Sequence, residues 1–266
     1  MNFKSILAFI LAGAVLFYGV LESGNTTIFL NTHAMLIVFG GSVAAGSISF
    51  QIDRIFMMFR VFVKRVIQGR TQDYVTLIRQ LMLLSDAYRK KSADLEVLID
   101  SSEDLFLKES FLLMMDEILD EETLIRVLRT RVNTFYQRQM EEMIKFKTVG
   151  KYPPAFGLMG TTLSMITLLQ KLGQAGGQKV IGPAMALGLV ATFFGLALSN
   201  LVFNPISENL QDSARENKTK NMIIVEGIRL ILQGTSPVIL AEELNSFLLP
   251  SERIDWRKVE GLGKTA

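Results

Sequence analysis

The chain has no cysteine and a single histidine, His33, in 266 residues. Without cysteine there is no disulfide framework, no thiolate metal site and no cysteine nucleophile. One histidine leaves no histidine-based metal or acid–base cluster. Acidic residues are missing from the whole stretch Lys151 to Pro205, whose only charges are Lys151, Lys171 and Lys179. The P-loop, the strand-borne G-x-G-x-x-G, HExxH and G-x-S-x-G are all absent, so no enzyme constellation can be assembled. The acidic pairs Glu103-Asp104, Asp116-Glu117, Glu121-Glu122 and Glu141-Glu142 lie in polar segments and read as solvated faces. A net charge of +2 is too small to point to nucleic acid.

What is present is apolar length. Hydrophobic residues make up 49% of the chain, charged ones 20%, and the mean hydropathy is +0.32. Four stretches carry no Asp, Glu, Lys or Arg: 5–21, 23–52, 152–170 and 180–207. A helix crosses a bilayer core in about 20 residues. Four transmembrane helices are therefore expected, at about 5–21, 33–50, 152–172 and 181–203. The first could also be a secretory signal, but no A-x-A-like site follows it and a second apolar run comes at once. Sixteen of the 28 Lys and Arg fall in residues 51–150 and eight in 207–266, while the 22–32 loop has none. The positive-inside rule then puts both termini and the 51–150 region in the cytoplasm. The expected fold is all-α: an integral membrane protein of four spans with a helical cytoplasmic domain between spans two and three. Its parts are 1–50, 51–150, 151–206 and 207–266.

The cytoplasmic parts read as helices. RIFMMFRVFVKRVIQ (54–68) mixes basic and bulky apolar residues, as an interfacial helix does. Apolar positions 74, 77, 78, 81 and 84 have helical spacing. SADLEVLID and DLFLKESFLLMMDEIL are shorter segments of the same kind. Asp120 suits an N-cap, with Glu121 and Glu122 in the first turn, and one long helix should run from there towards the third span. Gly234 suits a helix C-terminus. Ser236-Pro237 suits the start of the next helix, which should stop at Pro250. The tail from Ser251 should be loose.

The third and fourth spans are not plain lipid anchors. Thr161, Thr162, Thr167 and Thr192 stand among Gly157, Gly160, Gly182, Gly188 and Gly195, with prolines at 153, 154, 183 and 205. Small and hydroxylated residues allow membrane helices to approach closely. Ion pathways usually need an ionisable residue inside the bundle, and these spans have no carboxylate. Either the protein moves no ions, or a partner subunit brings the carboxylate and this chain supplies a hydroxyl-lined wall beside it. Alternatively, Thr161 and Thr192 merely bond to their own helix backbones.

YPPAFGLMGTTLSMITLL followed by IGPAMALGLVATFFGLALSNLVFNPIS resembles the last two spans of the MotA/PomA family, the A subunits of flagellar motor stators. The IIVEGIRLILQG…P segment and the FLLPSER ending have counterparts there too. The resemblance implies an ion-channel subunit that turns ion-motive force into rotor torque and is not an enzyme. It implies a pentameric ring of A subunits around a MotB- or PomB-type partner, whose single span carries the ion-binding aspartate. It also implies the rotor protein FliG as the driven partner and the bacterial inner membrane as the location. No cofactor is implied; the transported ion is Na+ or H+. Thr161 and Thr192 match ion-path positions, and a threonine at the first favours sodium. Pro154 and Pro205 match prolines that pass motion between spans and cytoplasmic helices. Arg89, Lys90 and Glu96 are the rotor-contact candidates, with Glu103 and Asp104 as rival acids. An energiser of an envelope partner in the ExbB/TolQ manner, or a stator relative serving gliding or defence, stays open as an alternative.

Overall fold

A computed structural model describes residues 3–22, 24, 26–49, 53, 57, 60, 73–92, 94–174 and 178–255. Most of these residues are helical, with no strand among them. Nearly all of the 54–68 segment lies outside the described residues, as do 175–177 of the turn after the third expected span and the tail from 256. The helices are α1 (Phe3–Glu22), α2 (Thr32–Ser49), α3 (Tyr74–Arg89), α4 (Asp94–Ser101), α5 (Leu105–Met115), α6 (Glu121–Val149), α7 (Tyr152–Leu172), α8 (Gln178–Leu198), α9 (Asn204–Leu232) and α10 (Pro237–Asn245).

The chain forms two compact units, one from residues 1–70 and 140–212, the other from 71–139 and 213–266. Their boundaries at 139/140 and 212/213 fall inside α6 and α9.

In the first unit α7 lies along α8 as its principal neighbour. Ala34 and Val38 of α2 and Val190 and Ala191 of α8 form a small core, with Phe29, Leu187 and Phe194 packed on it. Two turns are widened to π-helix, Leu36–Gly40 in α2 and Ser199–Phe203 between α8 and α9. The second widening has a chemical reason. Pro205 has no N–H to give to the carbonyl four residues back, and its ring crowds that carbonyl; the wider turn just before it relieves both problems. Pro205 therefore does not end the helix, which runs from Gln178 to Leu232 over 55 residues.

By length and composition, two helices among the described residues could cross a membrane: Thr32–Ser49 and the apolar part of Gln178–Leu232. The prolines and hydroxyls of α7, with Gln170 and Lys171 at its end, keep it below the same hydropathy level.

The second unit has a conventional apolar core. Leu77, Ile78, Leu81 and Leu84 of α3 meet Leu107 and Phe111 of α5, Leu128 of α6, Ile223, Ile224 and Ile228 of α9, and Leu240 and Leu244 of α10. Its ends are tied by local polar bonds. Asp73 accepts from the Thr76 N–H at 3.0 Å, Asp104 from Leu107 at 3.1 Å and Asp120 from Thr123 at 3.1 Å. Hydrogen bonds from the Thr76 and Thr123 side chains, and after them those from the two backbone N–H groups, hold the Asp73 and Asp120 carboxyls below their ordinary value. Gly234, at φ 69°, closes α9. The Gly234 N–H donates to Ile231 O and Thr235 N–H to Leu230 O, which satisfies the last carbonyls. α3 and α5 end without glycine: Lys91 and Glu117 take up φ 50° instead.

The chain after Ser251 is not loose at its start. Asn245 is buried and makes two bonds to Ile254, donating to its carbonyl at 3.1 Å and accepting from its N–H at 2.9 Å. Ile254 is itself buried. α10 also stops at Asn245, five residues before Pro250, in a series of turns.

Candidate functional site

The α7–α8 pair is close because glycine lines it. A methyl group added to Gly157 would stand 2.9 Å from the Ala191 carbonyl oxygen and 3.0 Å from the Thr192 Cα. One added to Gly188 would stand 3.1 Å from the Thr161 Cα. At Gly195 it would run into the Pro153 carbonyl. Backbone therefore meets backbone along the seam, as in membrane helix pairs built on small residues.

That approach brings Thr161 and Thr192 together. Their hydroxyl oxygens are 2.6 Å apart. Thr161 Oγ1 is also 2.9 Å from the Gly188 carbonyl of α8 and 3.2 Å from the Gly157 carbonyl of its own helix. Thr192 Oγ1 reaches the same Gly157 carbonyl at 3.3 Å. Two hydroxyls carry two protons, which allows two complete arrangements. In one, Thr192 donates to Thr161 and Thr161 to Gly188; in the other, Thr161 donates to Thr192 and Thr192 to Gly157. Both side chains are half-buried, so the cluster combines two hydroxyl and two carbonyl oxygens at a partly open seam. Neutral oxygens of this kind can replace part of a cation's hydration shell. No group of His, Asp or Glu suited to a metal occurs among the described residues.

The own-helix alternative holds for two other threonines of α7. Thr162 donates to Leu158 O and Thr167 to Leu163 O, each at 2.9 Å. For Thr161 it is only part of the picture, and the bond that the Thr192 hydroxyl makes to a backbone carbonyl goes to the opposite helix. Ser164, which sequence reasoning passed over, is buried and donates across the seam to the Ala184 carbonyl. Its signal was its position, one turn beyond Gly160 on the same face.

The prolines mark the other end of the seam. Pro153 and Pro154 stand in the first turn of α7, where missing N–H groups do no harm. Gly195 fits against both. Pro205 follows the widened turn, and the buried Ser199 within that turn donates to the Gly150 carbonyl at 2.8 Å. Phe146 and Phe203 pack beside it with ring centres 5.3 Å apart. Gly150, Ser199 and Phe203 had no motif to give them away.

Arg89, Lys90 and Glu96 belong to the second unit. Arg89 ends α3, Lys90 caps it, and Glu96 is exposed on α4. Both cations lean on one shielded carboxylate, Asp86, with Lys90 Nζ at 2.6 Å and an Arg89 nitrogen at 3.6 Å. Of the rival acids, Asp104 is taken up by Lys220 at 2.5 Å as well as by its capping bond.

Comparison with known proteins agrees with this architecture. The sequence profile of the MotA/TolQ/ExbB proton channel family matches residues 98–222. The Bacillus subtilis protein YtxD is 30% identical over 262 residues, covering 97% of this chain and 93% of that protein. Motility protein A of Borreliella burgdorferi is 31% identical over 180 residues, covering 67% of this chain and 68% of the relative. The chemotaxis protein PomA of Vibrio alginolyticus is 25% identical over 255 residues, 95% and 98% of the two chains. Among solved structures, MotAB of C. jejuni superposes with a TM-score of 0.83 at 22% identity over 96% of this chain and 100% of that chain. The flagellar MotAB stator complex of B. subtilis gives 0.83 at 23% identity over 95% and 99%. The resemblance read from the hairpin is thus matched by relatives that extend over nearly the whole chain, and the fold by two solved structures. On the strength of these relatives and of the matching family profile, the chain belongs to the MotA/TolQ/ExbB proton channel family.

Proposed function

We propose that this chain is the A-type subunit of a flagellar stator, which joins a MotB- or PomB-type partner to form an ion channel and converts ion-motive force into torque. The observation that carries the reading is the Thr161–Thr192 oxygen cluster at a glycine seam with no carboxylate of its own. Such a wall needs a charge supplied from outside, which a partner span with an aspartate would provide. Relatives named for motility and chemotaxis, and the solved MotAB complexes with the same fold, support it.

In this reading the chain crosses the inner membrane four times with both termini in the cytoplasm. Five copies surround the partner, and residues 51–150 and 207–266 form the cytoplasmic part. Sodium is the carried ion, since a neutral hydroxyl at position 161 can replace water around a metal cation. One charge moving through 100 mV supplies about 2.3 kcal/mol, enough to change the hydrogen-bonding direction of a hydroxyl pair and the local packing of a seam. Pro154 and Pro205, at the two helix joints, pass the movement on. Arg89, Lys90 and Glu96 meet the rotor protein FliG.

Co-expression with the partner in a stator-less host tests this. Sodium-dependent swimming should appear, and Thr161→Ala should lower sodium-driven ion flux by about tenfold, the weight of one hydrogen bond. Flux unchanged in Thr161→Ala at every sodium concentration would remove Thr161 from the ion path. Reversing the charge at Arg89 and Lys90 should reduce torque while membrane assembly and flux persist; full torque would remove them from the rotor contact.

A further inference from the structure

α5 carries large apolar residues outside its buried face as well as on it. Leu107, Phe111 and Met114 are buried in the core of the second unit. A helix turns about 100° per residue, which sets Leu105 and Leu112 away from that face and Met115 at its edge. There they are 74%, 55% and 37% exposed. Large apolar side chains exposed on a helix whose opposite face is already buried mark a candidate contact surface. Glu109 and Asp116 are exposed along one flank of this stripe. Lys108, which stands within the stripe one turn from Leu105 and Leu112, is drawn to Asp100 at 3.4 Å. The outward charge of the rim is therefore acidic.

The same unit carries the complement. On α6, Phe135 is 50% exposed. Arg131 and Arg138, one turn to either side, are exposed on the same face. An apolar centre with a basic rim on α6 matches an apolar centre with an acidic rim on α5.

We propose that the outer face of α5 in one copy docks on the Phe135 face of α6 in a second copy of this chain. An apolar centre enclosed by a polar rim is the ordinary anatomy of an interface. The two faces differ, so the contact is head-to-tail. Each copy offers one of each, and repetition closes a ring instead of stopping at a dimer. The inference rests on the reading of the chain as a ring-forming subunit, and it names the surfaces through which the cytoplasmic parts of neighbours meet.

The absence of native cysteine makes the test direct. Two differently tagged full-length copies, one Leu112→Cys and one Phe135→Cys, are co-expressed with the B-type partner, and membranes are treated with a short bifunctional thiol crosslinker. A mixed-tag dimer is expected, with none from either variant alone. A chain carrying both substitutions should give a ladder of multimers. Gln137→Cys, on the opposite side of α6, should give no product in place of Phe135→Cys. Arg131→Glu with Arg138→Glu should cut the mixed product at least tenfold, and Glu109→Lys with Asp116→Lys in the other copy should restore it. A dimer from Leu112→Cys alone, or its crosslinking to a different protein, would overturn the proposal. So would the absence of a mixed dimer while the mass of the purified complex shows several copies. A mass corresponding to one copy would instead overturn the ring reading itself.

Discussion

The two units of this chain are held together by different kinds of residue. Ten of the twelve largest fully buried side chains among the described residues lie in the second unit, and only Phe146 and Ile206 lie in the first. The second unit buries Leu, Ile, Met and Phe, as a water-soluble domain does, because removing apolar surface from water is its main source of stability. The α7–α8 pair buries chiefly Gly, Ala and Ser, with Pro153, Leu168 and Val190 beside them. Helix pairs built on small residues rely on close backbone approach and interhelical hydrogen bonds more than on the burial of large side chains. A leucine is structural in one unit and lies on the surface in the other: Leu128 is 0% exposed, whereas Leu163 of α7 is 53% exposed.

This contrast sets the expected effects of substitution, which unfolding of the purified protein followed by circular dichroism would measure. The largest effect should come from Phe111→Ala, which leaves a cavity in the second unit's core and costs about 3–5 kcal/mol. Alanine at the exposed Leu163 should cost far less, and equal losses would erase the distinction. Next comes Gly195→Ala. The added methyl meets the Pro153 carbonyl, a backbone atom that cannot step aside, and overpacking of this kind costs roughly 1–3 kcal/mol. Gly182→Ala, with open space around it, should be tolerated; similar losses at the two glycines would mean that the seam is not tightly packed. Lys91→Gly should work in the other direction and stabilise the second unit by about 1 kcal/mol, since it relieves a left-handed residue at the end of α3. A loss of stability there would show that the Lys91 side chain outweighs its backbone strain.

The smallest effect concerns pH. Asp73 and Asp120 have lowered pKa values because their carboxylates accept capping hydrogen bonds. A group with a folded pKa below its unfolded one contributes stability above the unfolded value and loses it as pH falls through the folded one. The second unit should therefore weaken slightly below about pH 4. Asp73→Asn with Asp120→Asn should flatten that limb of the stability curve, and an unchanged acid limb would assign it to other carboxylates.

Much of the second unit was legible because its signals are local. The spacing of Leu77, Ile78, Leu81 and Leu84 places a helix face in the core, and Asp120, Gly234 and Ser236-Pro237 mark helix ends by chemistry within a turn of where they act. What could not be read depends on partners distant in sequence or on backbone geometry. The left-handed residues Lys91 and Glu117 lack the glycine that usually marks such ends. Asn245 reads as an ordinary surface amide until Ile254 comes to lie beside it. At the seam, the threonines and glycines announced close packing, but only the fold decides that Thr161 and Thr192 meet while Thr162 and Thr167 bond to their own helix. That the helix passes through Pro205 by widening one turn is likewise a matter of backbone geometry.

That widened turn is a matter of phase. An α-helix repeats every 3.6 residues, and each residue taken up by a wider turn delays the following sequence by about 100° of rotation. The Ser199–Phe203 turn thus sets which side chains α9 presents along each line of the helix, and the Ser199 bond to Gly150 fixes the point from which that angle is counted. A single-residue deletion between 199 and 203 would leave the helix whole yet shift the phase of every later face on it. At this joint the order of residues sets an angle as well as a length.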